Sequence, residues 1–227
     1  MVITNVESDL FIFPEMFLCG YVSTVKQMRL DYLGGVFTDK MKDLSTKKGS
    51  AIICGSPVQE NEKVYNAALF INGNDIKTYR KMFLDSETFE KDIYTPGNAP
   101  LCVEYKGITI GLAISHDLFS PELFRYYGKN ADVVVCISAV AEKRMNELDK
   151  MISARALENG MNIILVNMVG PDPGEMMIGR SRWVGPDGNM IEGCTESSDV
   201  RTLRIDEKEL KKGNKARLKE IRKDVTW

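Results

Sequence analysis

The sequence contains a single histidine, His116, and it stands in Ser115-His116-Asp117, which holds the residue types of a hydrolytic triad. Three contiguous residues cannot build that relay on a strand, because successive side chains point to opposite faces. His116 is therefore expected to line a cleft or close a strand end, and a Ser115 nucleophile would need a base other than histidine. With no second histidine and no close cysteine pair, neither a metal nor another cofactor is expected. Asp187-Gly188 reads as turn chemistry, and no glycine-rich loop ends in Lys-Ser or Lys-Thr, which removes the common phosphate-binding signature. The charges of Asp206-Glu-Lys-Glu209 read as a solvated surface.

What remains is a set of polar residues that each stand just after an expected strand. Glu15 follows Phe11-Ile-Phe-Pro14, Lys81 follows Lys77-Thr-Tyr-Arg80, and Ser115 follows Ile108-Thr-Ile-Gly-Leu-Ala-Ile114. Ligands in α/β folds collect at strand ends, so the three could meet in one cleft. Taken singly, a Glu or Lys after a strand is more often surface decoration.

The elements that would have to position them alternate along the chain. Apolar runs predict strands at Asp9–Phe13, Ala51–Gly55, Val64–Ile71, Gly107–Ile114, Val133–Ile137 and Met161–Val169, with a last strand at Val200–Ile205. Asn72-Gly-Asn-Asp75 predicts a hairpin into Ile76–Lys81, and Gly185-Pro-Asp-Gly188 predicts another between Trp183-Val and Asn189-Met-Ile. Helical spacing covers Ser23–Asp43, Pro121–Tyr127 and Glu142–Asn159, the last stopped by Gly160, with a charged amphipathic helix over Lys208–Lys223. Alternation of this kind predicts an α/β protein, and the hairpins exclude a purely parallel sheet.

Composition bounds the function. A chain of 227 residues with 44% hydrophobic side chains can fill one core, so residues 1–227 are expected to form a single domain. A net charge of -2 gives no support to nucleic-acid binding, and no apolar run approaches the length of about 20 residues that spans a bilayer. The five cysteines, Cys19, Cys54, Cys102, Cys136 and Cys194, are widely scattered; without a secretory signal pattern they read as free thiols of a cytoplasmic protein.

Phe13-Pro-Glu15-Met-Phe17 with Gly20-Tyr21 resembles the glutamate motif of the nitrilase superfamily of carbon–nitrogen hydrolases, and Tyr79-Arg80-Lys81 resembles its lysine motif, with Pro96-Gly97 downstream. Gly111-Leu-Ala-Ile-Ser115-His-Asp117-Leu-Phe-Ser-Pro121-Glu122 resembles its cysteine motif, with Ser115 at the cysteine. Tyr65-Asn66, Arg155-Ala-Leu-Glu158-Asn159, Asn167 with Gly170, and Gly179-Arg-Ser181 fill the gaps, so the resemblance runs in order from about Asp9 to Ile205. It implies a four-layer α-β-β-α sandwich that hydrolyses a small linear amide, such as an ω-amide, or an N-carbamoyl amine through a thioester, with a nitrile as a lesser candidate.

Carried over, Glu15 would be the general base and Lys81 the cation facing the oxyanion, helped by the backbone N–H of His116. A second glutamate would orient the lysine: spacing from Pro96 favours Glu90, spacing from Lys81 favours Glu87, and Glu90 is preferred. Substrate choice would lie with residues such as Ser138 and Ala139. The family also implies a homodimer or larger homo-oligomer.

Two departures change the expectation. Ser115 is a poor substitute for a thiol, so the chain as written is expected to be inactive or nearly so, through an engineered exchange or as a natural member. Only eight residues precede Asp9, so the usual first strand and helix of the family are expected to be missing. Two alternatives stand beside the amidase reading: a natural non-catalytic small-amide-binding or scaffolding protein of the same fold, and a Ser–Lys hydrolase using Lys81 as base.

Overall fold

A computed structural model describes residues 5–20, 35–172, 175–194, 200–208 and 210–211. Two sheets face one another, and each carries helices on its outer side. The first sheet has the order β1-β2-β3-β4, formed by Leu10–Ile12, Ala51–Glu60, Lys63–Asn72 and Asp75–Arg80. β1 and β2 pair in parallel, while the other neighbours are antiparallel. The second sheet contains β5 (Cys102–Tyr105), β6 (Ile108–Ile114), β7 (Val133–Ser138), β8 (Asn162–Asn167), β11 (Arg182–Val184) and β12 (Met190–Gly193), in the order β12-β11-β8-β7-β6-β5. β6, β7 and β8 are parallel, and their flanks are antiparallel. A small antiparallel ribbon, β9 (Val169–Asp172) with β10 (Glu175–Ile178), stands apart.

The period of two along each strand builds the layers. In β2 and β3, Ala51, Ile53, Ala68 and Phe70 face inward onto Ile110, Leu112, Ile114, Val133, Val135 and Ile137 of the second sheet. Their neighbours Ile52, Cys54, Leu69 and Ile71 face outward onto Met41 of α1 (Val36–Lys48). On the far side Val134, Cys136, Ile163 and Leu165 pack beneath Leu123, Phe124 and Tyr127 of α3 (Pro121–Asn130) and Leu148, Ile152 and Ala156 of α4 (Met145–Asn159). The result is the α-β-β-α sandwich. Strands buried on both faces have to read as continuous apolar runs, which is why β6, β7 and β8 are so plain in the sequence.

Element ends follow local chemistry. Ser120 caps α3 by accepting from the Leu123 N–H, Pro121 takes the first helical position, and Gly160 ends α4 in the left-handed conformation. The helix expected over Ser23–Asp43 falls partly outside the described residues; the described part begins at Val36, after Gly35, and runs on to Lys48. The helix expected over Lys208–Lys223 lies outside them beyond residue 211. Glu142–Arg144 form a 3₁₀ turn rather than the start of α4.

The strand expected at Val200–Ile205 is corrected: these residues join no ladder among the described strands. Leu203 and Ile205 are half-buried between exposed neighbours, so the alternation is present without backbone pairing. Among the described residues no helix is long and apolar enough to cross a membrane.

Two glycines permit the sheets to approach the loops that matter. A Cβ on Gly55 of β2 would stand 2.3 Å from the Met16 nitrogen and 2.6 Å from the Glu15 Cα. One on Gly97 would stand 2.2 Å from the Arg80 carbonyl oxygen, beside Lys81. Backbone cannot yield as a side-chain tip can. Gly55→Ala is therefore expected to lower stability by about 2 kcal/mol or more, read as a lower urea midpoint at unchanged slope.

Candidate active site

Four segments, distant in sequence, end at one place. Glu15 follows β1, Lys81 follows β4, Ser115 follows β6, and Ser138-Ala139 close β7. Because β6 and β7 are parallel and in register at Ile114 and Ile137, Ser115 and Ser138 emerge side by side. Lys81 extends the β3–β4 ladder by one residue, donating its N–H to the Asn66 carbonyl at 2.8 Å, while the Lys81 carbonyl accepts from the Gly97 N–H at 2.8 Å.

Lys81 is buried with its ammonium between two carboxylates: Glu90 Oε1 at 2.5 Å and Glu15 Oε1 at 3.3 Å. Burial opposes its charge, but Glu15 and Glu90 outweigh that cost and hold the lysine above its usual pKa. It is thus a fixed cation. Glu15 is completely enclosed, and burial raises its carboxyl against the pull of Lys81 and the Asn66 amide. Its Oε1 accepts from Asn66 Nδ2 at 2.6 Å, and its Oε2 accepts from the Ala139 N–H at 2.8 Å. A raised carboxyl held on both oxygens has the properties wanted of a general base.

Of the two glutamates that spacing allowed, Glu90 opens the short helix α2 (Glu90–Ile93) and reaches Lys81, with its Oε2 accepting from the Asp85 N–H at 2.8 Å. The Glu87 side chain is 78% exposed and lies near Arg144 instead.

Ser115 is 8% exposed and sits in the left-handed region at φ 44, at the head of a 3₁₀ turn spanning Ser115–Phe119. Ser138 Oγ donates to Ser115 Oγ at 3.3 Å. The contiguous triad does not form, although the segment is a turn rather than a strand continuation. His116 stacks on Phe119 with its Nδ1 3.7 Å from Asp85, and Asp117 turns the other way, towards Tyr79. Burial lowers the His116 pKa despite Asp85. Asp85 is also paired with Arg144. A cavity of about 10 Å³, room for about one water, adjoins Ser115 and is lined by Asp85, His116, Phe119, Val140, Arg144 and Leu148.

The site therefore brings Glu15, Lys81, Glu90, Ser115, Ser138 and Ala139 together, with His116 at its rim. Sequence reasoning assigned no role to the residues that brace it. Asn167 accepts from the Val140 N–H at 2.8 Å and donates back to the Val140 carbonyl at 3.1 Å, fixing the loop that carries Ala139. Arg155, buried on α4, donates to the Leu118 carbonyl at 2.9 Å and holds the Ser115 turn. Asn66 and Asn167 are polar residues in otherwise apolar stretches of β3 and β8, and that was the available signal.

With this geometry established, comparison with known proteins defines the class. The carbon–nitrogen hydrolase family profile matches residues 2–214, and the chain belongs to that family. A protein described as a hydrolase in the agr operon of Staphylococcus lugdunensis is 29% identical over 211 residues, a match covering 90% of this chain and 90% of the relative. The fold is shared with a carbon–nitrogen hydrolase superfamily protein of Xanthomonas campestris solved with an arsenic adduct in its active site. That structure superposes with a TM-score of 0.86 at 24% identity, over 97% of this chain and 87% of the other. A cysteine-to-serine mutant of a Nesterenkonia amidase from the nitrilase superfamily superposes with a TM-score of 0.76 at 25% identity, covering 83% of this chain and 74% of that one.

Proposed function

We propose that this chain is built to hydrolyse a non-peptide carbon–nitrogen bond in a small linear amide or N-carbamoyl amine, that the chemistry requires a thiol at position 115, and that with Ser115 it turns over little or nothing. The observation that carries this reading is the buried Lys81 held between Glu15 and Glu90 beside the Ser115 turn. The likeness to an amidase solved as a cysteine-to-serine mutant supports it.

In the thiol form, Glu15 takes the proton of the nucleophile, and the sulfur attacks the amide carbon as its oxygen gains charge. Lys81 faces that charge as a cation. The C–N bond then breaks, Glu15 returns the proton to the departing nitrogen, and a thioester remains. Water enters with Glu15 as base and cleaves the C–S bond, releasing the acid and restoring the thiol. A Ser–Lys mechanism is disfavoured, since it needs a neutral Lys81 and both neighbouring carboxylates favour the charged form.

The second reading is a non-catalytic protein that holds a small amide without turnover. It is supported by the hydroxyl of Ser115, which already has a hydrogen-bond partner in Ser138. Measuring ammonia release by the Ser115→Cys variant across linear amides, N-carbamoyl amines and nitriles separates the two. Turnover of an amide or carbamoyl amine supports the hydrolase; a folded variant that releases nothing supports the binding protein.

A further inference from the structure

Asp117 is fully buried, and its carboxylate is shared among three donors on two segments. Oδ2 accepts from the Ile114 N–H at 2.8 Å and from the Tyr79 hydroxyl at 2.8 Å, while Oδ1 accepts from the Phe83 N–H at 3.0 Å. Ile114 immediately precedes Ser115. Tyr79 and Phe83 stand two residues before and two after Lys81. One side chain thus grips the end of the nucleophile-bearing strand and both flanks of the lysine-bearing segment, which belong to different sheets.

We infer that Asp117 is a positioning residue that holds the nucleophile at position 115 in register with Lys81 across the two sheets. It meets no reacting atom, so its effect is exerted through its neighbours. The position needs such a device. Ser115 adopts a left-handed conformation that a residue with a Cβ rarely takes, and such a conformation persists only where the surroundings over-determine it. Here the restraints are the Asp117 bond to the Ile114 N–H on one side and the Arg155 bond to the Leu118 carbonyl on the other.

The chemistry of the clamp calls for a carboxylate. All three partners are donors, and only an ionised carboxyl offers acceptors on both oxygens. An asparagine would turn an NH₂ group towards at least one N–H or O–H. Burial pushes the Asp117 carboxyl up to about 6, while Lys81 and the three donors hold it down, so the ionised form prevails at neutral pH.

The test uses Ser115→Cys as parent, with Asp117→Asn and Tyr79→Phe added singly. The first readout is the rate of iodoacetamide alkylation of the thiol at position 115, followed by peptide mass spectrometry so that the five native cysteines are scored separately. Folding is checked by thermal melting. Asp117→Asn is expected to slow that alkylation about tenfold or more and to move its pH profile upwards, because loss of the Lys81 field outweighs loss of the Asp117 anion, which alone would lower it. Rates at the native cysteines stay unchanged.

Tyr79→Phe removes one donor and no charge, and is expected to slow alkylation by a smaller factor of about three. On a substrate found for the parent, Asp117→Asn should lower kcat about a hundredfold with KM within about threefold. This last arm alone rests on the hydrolase reading. A parent that alkylates normally yet releases no ammonia would defeat that reading and leave the Asp117 comparison intact. Alkylation within twofold of the parent in a folded Asp117→Asn protein would overturn the inference. Were that variant to fail to fold, unchanged alkylation in Tyr79→Phe would overturn it.

Discussion

Ser115→Cys is expected to raise ammonia release from a cognate amide by about three orders of magnitude or more over the chain as it stands, roughly 4 kcal/mol of transition-state stabilisation. An ordinary thiol ionises near pH ~8.5 and becomes a thiolate readily beside a base and a cation. A serine hydroxyl is far harder to deprotonate, and a glutamate, even one raised by burial as Glu15 is, is a weak base for an alcohol. The exchange is nearly isosteric, so Ser138, Glu15 and Lys81 keep their places. Substrate binding should change little while kcat rises. Steady-state kinetics on both proteins would check this, and equal turnover by the two would mean that the hydroxyl is the working nucleophile.

Lys81→Met is expected to cost about 3–5 kcal/mol of stability at neutral pH. Methionine fills a similar volume but leaves Glu15 and Glu90 facing each other in a dry interior with no cation between them. The pH dependence separates this cause from lost packing. Burial already raises the Glu15 carboxyl above its ordinary value of 4.5, and removing the cation raises it further. A carboxyl raised in the folded state favours folding below its unfolded pKa, and that contribution is lost as pH rises through the folded value. The penalty in Lys81→Met should therefore be largest at pH 7 and shrink towards pH 4.5. Urea unfolding of parent and variant at both pH values measures it, and a penalty that ignores pH would point to packing alone.

The parts of the fold that could be read in the sequence were those where one physical signal dominated. β6, β7 and β8 are buried on both faces, so apolar content alone marked them, and Gly160 marked the end of α4. β5 was passed over although Lys106-Gly107, both with positive φ, carry the turn chemistry of a two-residue hairpin between it and β6. Only four residues long, it offers too little alternation to be seen. Val200–Ile205 misled for the opposite reason, since alternation was present and pairing was not.

At the site, Glu15 and Ser115 stood out because each closes an apolar run, while Lys81 stood out only by its place at the end of a hairpin strand. Their convergence depends on sheet register, which no local pattern reports. Asp117 was hidden by its neighbours: read as the third member of a Ser-His-Asp string, it drew attention away from the lysine segment that it actually holds. Asn66 and Asn167 appeared as matches without a task, because the partner of each lies far along the chain: the Glu15 carboxylate for Asn66 and the Val140 backbone for Asn167.

The bond from the Ala139 N–H to Glu15 Oε2 joins residues 124 positions apart and fastens one sheet to the other inside the site. Any small molecule seated there would touch both halves of the sandwich at once and act as a rivet. Its binding energy would be linked to global unfolding: at a free concentration 100 times its Kd, it would add about 2.7 kcal/mol to the folded state. A thermal-shift screen of the chain as written could thus find ligands for the site without any turnover.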